Sequence, residues 1–246
     1  MKAFLRNVIL CLTGIFFLYP IAEIGLRSLT DGQYARLFFE NTPYFRFHFN
    51  SLTYGFIASL LGTVIALPLG YVFARVQFPL KKAVFFLYVI VMLLPFQALQ
   101  LPEYVMMERI GILDTPLAVI LPVCFSPLAA FLLRQCFSSL PEEQADAFWM
   151  ESSSRVKFWL HVLFPWSKPM IITLLLLLFG QAYNLVEQVA VLVPTNLEAY
   201  PLAPLIARLP ENAAGAGEAW FLLPPLILYL IFERRLREGM QYYRWN

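Results

Sequence analysis

Charge is what this sequence has least of. Lys, Arg, Asp and Glu make up 14% of its 246 residues and apolar side chains 60%, against about 25% and about 45–50% in ordinary soluble domains. So little charge argues against a water-soluble globule and leaves little room for a separate soluble domain. The formal charge of +2 is too small to suggest a nucleic-acid partner. Histidine is scarce too: His48 and His161 lie far apart in unlike contexts, which argues against a metal site. The three cysteines, Cys11, Cys124 and Cys136, fall in or beside apolar runs without metal or redox spacing, and read as small core residues. No nucleophile–base set, phosphate-cradling glycine loop or His-Glu-x-x-His helix is present, so nothing points to an enzyme.

What the chain has instead is long apolar runs. They recur at 8–26, 52–74, 83–102, 117–133, 170–193 and 219–232, the last extendable to 213–232 through uncharged Ala213–Gly217. A bilayer-crossing helix needs about 20 such residues, so the expected fold is all-α and polytopic, one transmembrane domain over residues 1–246 with six spans. Val8–Leu26 exceeds the apolar core of a signal peptide, and no small-x-small cleavage site follows before Arg27, so this run is expected to stay as a membrane helix. Pro68, Pro95 and Pro122 lie inside runs and are expected to kink helices rather than stop them, since neighbouring helices can satisfy the freed backbone groups.

Lys and Arg are retained on the cytoplasmic side of a membrane. With the N-terminus inside, thirteen fall inside: Lys2, Arg6, Arg75, Lys81, Lys82, Arg134, Arg155, Lys157, Lys168, Arg234, Arg235, Arg237 and Arg244. Only Arg27, Arg36, Arg46, Arg109 and Arg208 fall outside. The expected topology therefore has both termini cytoplasmic, and an odd number of spans would scramble it.

Most connections are short, but Gln135–Lys168 is a cytoplasmic loop of 34 residues with helical character. Ser139 is placed to cap a helix starting near Pro141, with Glu142 and Glu143 in its first turn, where acids complement the dipole. Ser152, Ser153 and Ser154 break the pattern. Val156, Trp159, Leu160 and Leu163 then recur at helical spacing, and Pro165 is expected to end the second helix. Two short helices between two spans make a docking element for a cytoplasmic partner. The alternative, a surface-lying helix anchored by Trp149, Trp159 and Trp166, fits poorly with the acids of the first helix, because such helices favour Lys and Arg.

Polar groups inside the spans are costly and are expected to face a cavity or a partner. Gln181, Asn184 and Gln188 share a face at i, i+3 and i+7 of the fifth span, with Glu187 beside it. Gln97 and Gln100 follow Pro95 in the third. Either these groups line a path for a polar solute or they bond helices together; uncharged donors and acceptors suit a sugar-sized solute. Glu23 is expected only to pair with Arg27, four residues on.

The loop also resembles the permeases of binding-protein-dependent ABC importers. Their cytoplasmic signature runs Pro-x-Glu-x-x-Glu-Ala-Ala-x-x-Asp-Gly-Ala-Ser, then Leu-Pro-x-x-x-Pro. Here stand Pro141, Glu143, Asp146, Ala147, Phe148, Glu151, Ser152, Ser153 and Ser154, then Phe164, Pro165 and Pro169. Asp146 replaces the usual Glu, Phe148 the second Ala and Ser152 the Gly. Asn50-Ser51-Leu52, Tyr71 to Arg75, Gly111-Ile112-Leu113-Asp114-Thr115, Phe131-Leu132-Leu133-Arg134 and Ala182-Tyr183-Asn184 narrow the resemblance to the smaller permease subunit of the maltose and glycerol-phosphate type. The resemblance implies a multi-pass inner-membrane protein that pairs with a second permease subunit, two ATP-binding cassette subunits and an extracytoplasmic solute-binding protein. It carries no cofactor of its own, because ATP is bound by the partner ATPases. Glu143, Asp146, Ala147, Phe148, Glu151, Ser152 and Pro165 would couple to those ATPases. The third to fifth spans would border the path, and the tail Glu233–Asn246 would approach the ATPases. The cargo stays open between a sugar and another solute, such as a polyamine, phosphonate, metal complex or peptide; a membrane enzyme or a scaffold are the rivals from other classes.

Overall fold

The computed structural model describes residues 2–30, 34, 42–206, 208–209 and 211–242. Arg36, Arg244 and the end of the tail lie outside the described residues. The described elements are helical. Five helices are long and apolar enough to cross a membrane, and a sixth candidate is a bent pair.

The first helix, α1 (Lys2–Thr30), meets the last, α12 (Glu211–Tyr242), yet its most apolar window is wholly unburied within the chain. Cys11 is therefore exposed rather than a core residue. Glu23 and Arg27 pair as expected.

The central post is α2 (Thr42–Arg75), whose 34 residues span roughly 50 Å. It continues past Pro68 without a stop. It packs mainly on α6 (Pro127–Ser138) and α9 (Phe164–Tyr183), then on α5 (Pro116–Cys124). Small residues make this possible. An added Cβ at Gly70 would stand 2.6 Å from Leu133 Cβ and 3.0 Å from the Arg134 backbone nitrogen, and one at Gly62 would meet Leu178 at 2.8 Å. Around this seam Ala58, Ala66, Val119, Leu133, Phe137, Leu174 and Ala182 form the buried core.

The third span departs from expectation. It breaks into α3 (Lys81–Leu93) and α4 (Phe96–Arg109), bent by 102°. Pro95 is a stop here because a residue before proline is driven out of the helical region, and Leu94 is extended with ψ 136. At about 1.5 Å per residue, α3 is too short to cross a bilayer alone. Pro122 does remain inside α5, and Ser126 caps α6 after a short break.

The fifth span breaks as well. α9 ends at Tyr183 and α10 (Glu187–Leu192) follows. Asn184 N–H makes the last helical bond to the Gly180 carbonyl at 3.2 Å, and its side chain donates to the same carbonyl at 2.8 Å, a local bond that competes with continued helix. Gln181, Asn184 and Gln188 thus do not share one helix face. A short helix, α11 (Ala203–Ile206), leads into α12, which starts at Glu211, ahead of the expected 213.

The 135–168 loop holds α7 (Glu142–Glu151) and α8 (Arg155–Phe158). Ser139 caps the end of α6 through the Cys136 carbonyl, 2.8 Å, rather than the start of α7, whose N-cap is Pro141. Ser152 ends α7, and Ser154 caps α8 by accepting from Lys157 N–H. Pro165 does not end the second helix. A π-helical turn, Trp159–Leu163, closed by Phe164 N–H on the Trp159 carbonyl, precedes the proline, and α8 continues into α9, one helix from Arg155 to Tyr183. The same turn shifts the phase of the apolar stripe: Leu163 is buried, while Val156 and Leu160 are exposed.

Candidate functional site

Two sets of residues carry the functional reading, one at each end of α9. At the N-terminal end of α9, α7 rests on its own chain by one side. Phe148 is half-buried and packs on Phe158 and Trp149, with ring centroids 5.4 and 5.5 Å away, and Trp149 stacks on Phe158 at 4.6 Å. Phe148, predicted to couple, is thus the anchor of α7. The other side is bare: Glu143, Asp146, Ala147, Met150 and Glu151 are exposed, Met150 by 89%. Ser152 is half-buried at the end of α7, and Pro165 is exposed on the far side of the π turn. The exposed side of α7 thus carries a small residue, a large apolar residue and acids.

The base of this loop is tied down by a residue known from the sequence only as a topology charge. Arg75, at the end of α2, donates from Nε to the Phe137 carbonyl, 3.0 Å, and from its terminal nitrogen to the Leu140 carbonyl. Trp166 Nε1 donates to Cys136 O at 3.1 Å. Cys136 and Phe137 lie in the last turn of α6, where carbonyls lack helical partners, and Leu140 lies just past it, so α2, α6 and α9 meet in one bonded joint at the base of the loop.

At the other end, α4 and α10 pack together. Gln97 donates to Glu187 at 3.2 Å, and Gln188 donates to Glu103 at 3.1 Å. Glu187 is exposed within this chain, as are Gln97, Gln181 and Asn184, whereas Gln100 is half-buried and Gln188 buried. Glu103, half-buried, was missed because it lies just past the expected end of the third span. Of the two acids in this cluster, Glu103 is the less exposed.

Beyond α10 the connections are clasped by side chain to backbone bonds. Asp114, with φ +63, accepts from Thr195 N at 3.0 Å, from Asn196 N at 2.9 Å and from the Thr195 hydroxyl. Those bonds, the hydroxyl's first, hold its carboxyl below the usual range. Asn50 donates to the Glu198 and Tyr200 carbonyls at 2.8 and 2.9 Å, and Ser51 accepts from Leu202 N at 2.8 Å. Tyr183 donates to Phe221 O at 3.0 Å and ties α9 to α12. Among the described residues no group of three or more His, Cys, Asp or Glu side chains is placed to hold a metal ion.

Residues 66–237 match the model of the family described as binding-protein-dependent transport system inner membrane component. The chain belongs to that family. The match spans the α2–α6 seam, the α7 loop and the α4–α10 cluster. Among its relatives, the arabinooligosaccharides transport system permease protein AraQ of Bacillus subtilis (strain 168) is 25% identical over 223 residues, 89% of this chain and 79% of that protein. The sn-glycerol-3-phosphate transport system permease protein UgpE of Escherichia coli (strain K12) is 24% identical over 209 residues, 81% of this chain and 74% of that protein. The fold is that of a chain in the crystal structure of a bacterial ABC transporter involved in the import of the acidic polysaccharide alginate, with a TM-score of 0.82, 18% identity and 95% of each chain covered. This inner membrane component is thus a transport subunit rather than an enzyme, of a family that works with a partner permease, an ATPase and a binding protein.

Proposed function

We propose that the chain is the permease subunit of an ABC importer for a sugar or sugar derivative and forms half of its path. A different permease chain supplies the other half. Two ATP-binding cassette subunits bind all the ATP, and a solute-binding protein delivers the cargo from outside. The observation that carries this reading is the exposed acidic face of α7, hung on the Arg75–Trp166 joint within a matched transport family. The sugar class comes from the relatives, whose names specify an arabinooligosaccharide and a glycerol phosphate. Deleting the chain should abolish uptake of the radiolabelled cargo supplied by its binding protein, and complementation should restore it; unimpaired uptake of sugars and sugar phosphates would reject the proposal.

Both termini and the α7 loop face the cytoplasm in this reading, supported by the segregation of Lys and Arg. With exposed Cys11 replaced by Ser, a cysteine at Glu198 should react with an impermeant thiol reagent from outside and one at Ser153 should not. The opposite pattern reverses the orientation.

Of the polar groups, Gln97, Gln181, Asn184 and Glu187 are proposed to face the path. Buried Gln188 is proposed to join α10 to α4 through Glu103.

A further inference from the structure

Neither coupling nor permeation uses the cavity of about 730 Å³ at the α2–α3 junction, lined by Lys81, Lys82, Arg134 and the rings of Phe78, Phe85 and Phe86. Lys81 Nζ reaches the Ala74 carbonyl at 3.3 Å, and the Arg134 guanidinium lies 3.9 Å from the centre of the Phe85 ring. Arg134 Nε is buried with no hydrogen-bond partner. None of the three cations makes a salt bridge among the described residues. The start of α3 adds to the positive field, since Leu80 holds a left-handed conformation, φ 61, and no side chain caps the first turn. The mouth is apolar, with Leu80 and Phe86 exposed by 77% and 64%. A buried donor left unpaired is costly, and an anion from outside the chain would partner Arg134 Nε and meet the two lysines beside it. A small soluble anion accounts for the cations but not for the apolar rim.

We propose that this cavity binds the phosphodiester headgroup of an anionic phospholipid of the inner leaflet. Lys82 and Arg134 meet the phosphate, and the acyl chains run along Phe85 and Phe86. Basic pockets between membrane helices on the cytoplasmic side suit such headgroups. The inference rests on the orientation proposed above.

The test is native mass spectrometry of the assembled transporter, equilibrated with equal phosphatidylglycerol and phosphatidylcholine. The wild type should retain phosphatidylglycerol selectively. Lys82→Gln, at an exposed position that folding tolerates, and the pair Lys81→Gln/Lys82→Gln should lower retention roughly fivefold for each cation removed, since a basic group near such a surface contributes about 1 kcal/mol. Arg6→Gln, which removes a charge elsewhere on the same face, should leave it unchanged. Millimolar inorganic phosphate should not displace the lipid. Equal retention in the Lys variants, an equal loss in Arg6→Gln, or displacement by phosphate would each overturn the proposal. Failure with a cysteine at Ser153 still shielded and ATPases still co-purifying would reject the lipid site alone; labelling of that cysteine from outside would reject the orientation beneath it.

Discussion

Asp114 joins two connections through one carboxylate, and its chemistry sets a pH window. Its pKa is lowered in the folded chain by the Thr195 hydroxyl and by the Asn196 and Thr195 amides. A carboxyl whose folded pKa lies below its unfolded value contributes stability above the ordinary value, about 4, and loses it as pH falls through the lower folded value. Hydrogen exchange at Thr195 and Asn196, corrected for intrinsic rates, should therefore accelerate only once pH drops below that ordinary value. Asp114→Asn keeps an acceptor and tolerates the left-handed backbone; it should make exchange faster at neutral pH and remove the acid dependence. Protection that stays constant through the acid range in wild type would contradict the clasp. Neither this bond nor the Arg75 joint was legible in the sequence, because each links residues far apart in the chain. The residues themselves stood in the motifs Gly111–Thr115 and Tyr71–Arg75, so the resemblance marked them before the structure explained them.

Among the elements, the α2–α6 seam depends on Gly70. A Cβ there meets backbone as well as side chain, so α6 must move away, and overpacking of this kind costs about 1–3 kcal/mol. Gly70→Ala should lower the melting temperature of the purified transporter. Gly180→Ala, where an added Cβ meets nothing within 4 Å, should not; equal effects would refute the seam. At the α4–α10 contact, Gln97→Ala and Gln181→Ala should alter the solute dependence of transport while assembly persists. Gln188→Ala should instead reduce assembly, because it leaves Glu103 without its donor, a cost of about 1–3 kcal/mol. The reverse assignment would place Gln188 on the path. Periodicity located the apolar runs, since burial in lipid depends on composition along the chain. It could not separate a kink from a break. Pro95 and Asn184 break helices through Leu94 geometry and the Gly180 carbonyl, while helices continue past Pro68 and Pro165, the latter just after a π turn.

Across the whole molecule, an exposed α7 is joined to the bundle through the bonded ends of α2, α6 and α9. Movement of a docked ATPase would enter at Asp146 and Ala147, pass through Phe148 and Phe158, and reach the α9–α10 break. The unburied apolar stretch of α1 and the outward faces of α3 and α12 remain for lipid or the second permease. The central claim is that α7 couples this chain to its ATPases, and Asp146→Lys tests it most directly. A carboxylate meeting a basic group at an interface can be worth about 2–5 kcal/mol when one partner is removed, and reversing its sign adds repulsion. The measurement is solute-stimulated ATP hydrolysis by the purified, reconstituted transporter, read beside co-purification of the ATPases. Asp146→Lys should release the ATPases or leave hydrolysis unresponsive to solute with the membrane helices inserted, while Glu142→Ala stays near wild type. Wild-type co-purification and wild-type stimulation in Asp146→Lys would contradict the account.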